Sequence, residues 1–112
     1  MPRGMDTLQR LEATITQRLS ASPETSYVAS LAQRGLPVIA RKLGEEATEA
    51  VVAALAGDEI DLVEEGADVL FHLLVLLAHK GIPLEKVLAE LERREGTSGL
   101  EEKAARTDLG GS

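Results

Sequence analysis

An all-α bundle of about five helices is the fold this sequence predicts, and three observations point to it. Apolar residues recur at spacings of three and four along most of the chain, the period of one helix face. Aromatics are only 2% of the 112 residues, Tyr27 and Phe71 alone, so the core must be aliphatic, which favours helix on helix. Helix punctuation also recurs at regular intervals: Ser26, Gly35-Leu-Pro37, Gly57-Asp58 and Gly81-Ile-Pro83. No segment alternates as a strand does, and no repeat of solenoid type is present.

The first helix is read from Met5, Leu8, Leu11, Ile15 and Leu19, with Asp6 and Thr7 near its start. Pro23 lies in a loop between Ser20 and Thr25. Ser26 suits the N-cap of a short helix from Tyr27 to Arg34 that Gly35 stops. Pro37 suits the first turn of a third helix reaching about Ala56. Gly44 inside that helix lowers its propensity by about 1 kcal/mol relative to Ala, and is expected to allow another backbone to approach closely. Asp58 caps a fourth helix ending near Lys80, with Gly81 just beyond. Its second half, Val69 to Ala78, is apolar nearly all round. A helix apolar on every side is buried on every side, and a short chain has little surface to bury it with. The core is therefore expected to be completed by homodimerisation. Pro83 opens a fifth helix, with Leu84, Val87, Leu88 and Leu91 as its stripe, and Gly96 ends it. Residues 1–95 read as one domain; 96–112 read as a polar, loosely held tail.

The formal net charge of −7 argues against a nucleic-acid backbone partner. No apolar run is long enough to span a bilayer, no signal-peptide core is evident, and there are no cysteines. These features fit a cytoplasmic protein with no membrane partner.

The chemistry lies in two acidic pairs, Glu46-Ala-Thr-Glu49 and Glu65-Gly-Ala-Asp68. Each has i, i+3 spacing, so its carboxylates share a helix face. Glu49 lies eight residues before Gly57 and Glu65 eight after; Glu46 and Asp68 lie eleven before and after. If the chain reverses at Gly57, Glu49 meets Glu65 and Glu46 meets Asp68, at levels about 4.5 Å apart. Small neighbours, Ala47, Ala50, Gly66 and Ala67, are expected to let the helices close up. Four convergent carboxylates repel unless a cation joins them, and oxygen-only ligands suit Mg²⁺ or Mn²⁺. One such pair by itself is an ordinary solvated face; two in mirror register are harder to dismiss.

Other groups are more ambiguous. Glu45 either orients Lys42 or makes a plain surface ion pair. Glu59 and Glu64 read as surface. His72, four residues beyond Asp68, either supports the site or is a core histidine bonded to a neighbour. His79 suits a helix C-terminus. Neither Glu46 nor Glu65 is followed by His three residues on, against a di-iron bundle.

From Lys42-Leu-Gly-Glu-Glu-Ala-Thr-Glu49 through Glu65-Gly-Ala-Asp68-Val-Leu-Phe-His72, the sequence resembles the phosphoribosyl-ATP pyrophosphohydrolases of histidine biosynthesis. These are all-α, MazG-like enzymes sharing a Glu-Glu-x-x-Glu … Glu-x-x-Asp pattern. Ser26-Tyr27 and Gly81 to Leu88 extend the resemblance. It implies hydrolysis of the α–β phosphoanhydride of phosphoribosyl-ATP, with Mg²⁺ ligands at Glu46, Glu49, Glu65 and Asp68. It places Lys42 and Glu45 with Glu46 and Glu49 among the catalytic residues. The chain departs from the family at Val38, where a second lysine is frequent; at 112 residues with no cysteine it is expected not to include the fused cyclohydrolase domain of many relatives. Two other readings stand beside this one: a MazG-like enzyme for a non-standard NTP, and a non-catalytic helical dimer.

Overall fold

The computed structural model describes residues 3–95, with side chains from Thr7 onward. Its helices are α1 (Arg3–Arg18), α2 (Tyr27–Arg34), α3 (Leu36–Ala56), α4 (Glu59–His79) and α5 (Leu84–Glu95). The all-α expectation holds, and no strand occurs among the described residues. The expected tail, 96–112, lies outside them. The chain divides into two compact units, one ending at Ile82 and the other beginning at Pro83.

In the first unit, α3 and α4 pack as an antiparallel hairpin; α1 lies on α4, and α2 touches α3 and α1. The sequence sets each helix end. Ser26 Oγ accepts from Ala29 N–H at 3.1 Å, satisfying one free donor at the start of α2. Gly35, at φ +98°, joins α2 to α3 in a conformation that only glycine adopts without strain. Asp58 and Asp61 form a reciprocal capping box at the start of α4, Asp61 N–H to Asp58 Oδ1 at 2.9 Å and Asp58 N–H to Asp61 Oδ2 at 3.3 Å. At its end, Ile82 N–H bonds to the Leu77 carbonyl and Gly81 N–H to the Ala78 carbonyl, a Schellman closure around Gly81 at φ +72°.

The core of this unit is aliphatic, as its composition requires: Ile15, Val28, Ala29, Leu31, Ile39, Ala53, Leu74 and Val75 are buried. Within the chain the apolar half of α4 is only partly covered: His72, Leu74 and Val75 are buried, while Leu70 is 48% exposed and Leu73, Leu76 and Leu77 are half-buried. Further bare apolar surface lies near the hairpin's turn, where Val51 (58% exposed), Leu55 (83%), Ile60 (67%) and Val63 (64%) face outward. One expectation needs correction: the small residues do not act as foreseen. A Cβ at Gly44 or Gly66 would meet nothing within 4 Å, and Ala47 and Ala67 are exposed. Ala53 is the small residue that the hairpin buries.

The second unit contains α5. Glu90 accepts from both Arg93 and Arg94 along its exposed face, with nitrogen–oxygen distances of 2.7 and 2.9 Å.

Candidate metal centre

The reversal at Gly57 brings the acidic faces of α3 and α4 together. Glu46, Glu49 and Glu65 each offer an oxygen, and the three oxygens lie within 4.8 Å of one another. Glu46 and Glu65 are half-buried and Glu49 is exposed. Asp68 is exposed and outside this tight group, although its charge still acts on Glu65. The register count therefore assembles three of its four carboxylates and leaves the fourth at the margin.

The electrostatics follow from crowding. The Glu65 carboxyl is pushed above its ordinary range, first by loss of solvent and then by the negative charges of Glu49, Asp68 and Glu46. Glu46 Oε2 and Glu65 Oε1 are buried and have no hydrogen-bond partner. Buried acceptors are nearly always satisfied, so two orphaned carboxylate oxygens on facing helices ask for a ligand. A solvated acidic face would leave its oxygens to water.

A hard divalent cation fits this donor set. Two oxygens on one Mg²⁺ lie at most about 4.2 Å apart, twice the usual metal–oxygen distance. Only one of the three pairs can be trans, and the cis pairs lie about 3.0 Å apart, so the glutamate side chains must turn inward to chelate one ion. All its donors are carboxylate oxygens, the chemistry preferred by Mg²⁺ and Mn²⁺. Glu46, Glu49 and Glu65 would hold the ion.

The remaining residues sort clearly. Glu45 is not among the trio and bridges Lys42 at 3.5 Å and Arg41 at 3.7 Å. These partly exposed pairs have the geometry of the plain surface ion pair that the sequence also allows, and they take in Arg41, which sequence reasoning passed over. The clue was available, because Arg41 stands four residues before Glu45. An open groove of about 650 Å³ is lined by Arg41, Gly44, Glu45, Thr48 and Glu49. A second, about 360 Å³, is lined by Thr48, Glu49, Val52, Ala53, Ala56, Gly57, Asp61 and Glu65. Glu49 borders both. Glu59 and Glu64 are exposed, as expected.

His72 is 4% exposed. Its Nδ1 lies 2.7 Å from the Asp68 carbonyl oxygen, which can only accept, so Nδ1 carries the proton. In the neutral ring Nε2 then accepts, and the Tyr27 hydroxyl donates to it at 2.9 Å. This is the satisfied core histidine of the simpler reading, tied to the turn that carries Asp68.

Fold and site together define an all-α protein with a cluster of three carboxylates between two antiparallel helices, beside an open groove. Comparison with known proteins narrows this class. Residues 8–95 match the family described as Phosphoribosyl-ATP pyrophosphohydrolase. A phosphoribosyl-ATP pyrophosphatase of Erythrobacter litoralis is 64% identical over 104 residues, covering 93% of this chain and 100% of that protein. Those of Rhizorhabdus wittichii and Dinoroseobacter shibae are 63% and 54% identical, covering 89% and 91% of this chain and 94% and 100% of theirs. The chain belongs to the phosphoribosyl-ATP pyrophosphohydrolase family.

Proposed function

We propose that this protein hydrolyses the α–β phosphoanhydride of phosphoribosyl-ATP, releasing pyrophosphate and phosphoribosyl-AMP, as a cytoplasmic homodimer in histidine biosynthesis. Mg²⁺ is its cofactor, with Glu46, Glu49, Glu65 and Asp68 as ligands. The observation that carries the reading is the pair of orphaned buried oxygens, Glu46 Oε2 and Glu65 Oε1, in a chain of this family. Bound there, Mg²⁺ supplies positive charge against a polyanionic substrate and acidifies water.

The chain's own groups divide the remaining work. Glu46 and Glu65, half-buried on facing helices, would hold the cation and through it the phosphates. Glu49 borders both grooves and is exposed, so it can take the proton of an attacking water. Arg41, which lines the larger groove, and Lys42, the next residue along the chain, both paired with Glu45, offer charge-assisted donors to phosphate oxygens. Positioning and electrostatics carry most of such a phosphoryl transfer. Bare aliphatic surface around Val51, Leu55, Ile60 and Val63 supports a second copy as partner.

The test is pyrophosphate release by the purified protein, with and without Mg²⁺, from phosphoribosyl-ATP and from free NTPs. Strict Mg²⁺ dependence and a preference for phosphoribosyl-ATP of at least about a hundredfold in kcat/KM are expected, from contacts to a second ribose worth about 3 kcal/mol. Preference for a free NTP would transfer the protein to the non-standard nucleotide reading. No turnover and no Mg²⁺ binding would leave a helical dimer without catalysis.

A further inference from the structure

Three rings meet about one turn beyond Asp68 and nearly two turns beyond Glu65 on α4. Tyr27 and Phe71 are near parallel, with centroids 6.1 Å apart and planes 21° apart. His72 stands edge-on to both, at 5.8 Å from Tyr27 and 5.2 Å from Phe71. Tyr27 is anchored through its hydroxyl to His72, which is itself buried and fixed by the Asp68 carbonyl. Yet Tyr27 is 49% exposed. A surface tyrosine ordinarily swings in solvent. This one is held at its hydroxyl end while much of its ring stays open.

We propose that the Tyr27–Phe71 pair is the stacking platform for the substrate's nucleobase. The inference deepens the function proposed above and rests on it for the kind of substrate. Along α4, Phe71 lies about 4.5 Å beyond Asp68 and about 9 Å beyond Glu65, and about 60° and 120° from them around the axis. That rise is of the order separating a nucleotide's base from its phosphates. With the phosphates at the carboxylates, the sugar would run along and partly around α4 for the base to meet the rings. A pre-set aromatic surface loses little freedom when a base stacks on it. The Tyr27 hydroxyl is already engaged by His72, so the ring offers a π-face and no hydrogen-bond pattern. The platform therefore registers that a base is present and not which base it is.

Tyr27 is the single tyrosine of a chain with no tryptophan, so it is the protein's intrinsic fluorophore. In full-length wild-type protein with Mg²⁺, ATP should quench Tyr27 emission saturably after correction for adenine absorbance. Inorganic tripolyphosphate, which has no base, should leave the emission unchanged. Equal responses to both, or no saturable response to ATP, overturn the proposal. The kinetic arm compares Tyr27→Phe with Tyr27→Leu, both checked for cooperative melting. Phe keeps the ring and loses the bond to His72, so KM should stay within about twofold of wild type. Leu should raise KM about tenfold or more, the scale of a base–aromatic stack, with kcat largely kept. If Phe is as damaging as Leu, the hydroxyl bond matters and the stack does not; if Leu leaves KM unchanged, no stack exists. Emission reports binding whether or not turnover occurs, so this proposal and the catalytic reading fail separately.

Discussion

Glu65 concentrates the tension of the site. Its carboxyl is raised from 4.5 by desolvation first and by three neighbouring carboxylates after that. The sign follows from linkage: a group that binds its proton more tightly when folded adds stability at low pH, and that contribution is lost as pH rises through its folded pKa. At neutral pH, without metal, ionised Glu65 therefore works against the fold. Glu65→Gln should raise the melting temperature of the metal-free protein and abolish most of the further rise produced by millimolar Mg²⁺, which stabilises the native state by mass action. Thermal melts with and without Mg²⁺ check both, with Glu59→Gln as the surface control. Glu49→Gln and Asp68→Asn should keep the fold and lower pyrophosphate release by about a hundredfold or more, since misplaced electrostatic groups cost that much in such reactions. Near-normal rates in both variants would end the carboxylate mechanism. The smaller loss is expected for Asp68, because it stands outside the tight trio.

At the scale of the element, two glycines on the same hairpin should respond oppositely to Ala. Gly44 is inside α3 with open space where a Cβ would go. Gly44→Ala should stabilise by about 1 kcal/mol through helix propensity alone. At Gly57 a Cβ would sit 2.8 Å from Asp61 Oδ2 and 3.0 Å from the Ala53 carbonyl. Gly57→Ala should disturb the capping box and cost about 1 kcal/mol. Urea unfolding of the two variants measures the difference, and equal shifts would refute the account. In α5, the Arg93 and Arg94 hydrogen bonds hold Glu90 down to about 2. A depressed carboxyl gives its support above pH 4.5 and loses it as pH falls toward 2. A carboxyl-carbon NMR titration should place Glu90 well below the ordinary glutamate value of 4.5. These exposed pairs add little to stability.

For the whole molecule, the bare aliphatic surface predicts self-association. Wild type should sediment as a dimer. Leu55→Asp should yield a helical monomer, because Leu55 is 83% exposed in the single chain and meets a partner only on association. Leu74→Asp should destroy the fold, because Leu74 is 3% exposed and a buried unpaired charge costs several kcal/mol. Sedimentation beside far-UV circular dichroism separates the two outcomes; a monomeric wild type would contradict the dimer.

Much of this was legible in the sequence because it depends on local order. The 3.6-residue period named the helices, and Ser26, Gly35, Asp58 and Gly81 marked their ends, since a cap is made by a residue and its near neighbours. The mirrored pairs about Gly57 indicated the carboxylate centre. Counting residues fixes only the level along a helix axis. It does not fix the rotation of each helix about that axis, and i, i+3 partners differ by about 60° around it. That rotation is set by what else each helix buries, with Leu74, Val75 and His72 of α4 turned inward. It gathers Glu46, Glu49 and Glu65, leaves Asp68 at the edge, and sets Tyr27 from α2 against His72. It also decides which apolar residues remain outside. Those outcomes belong to the packing of side chains distant in sequence, which only the tertiary structure supplies.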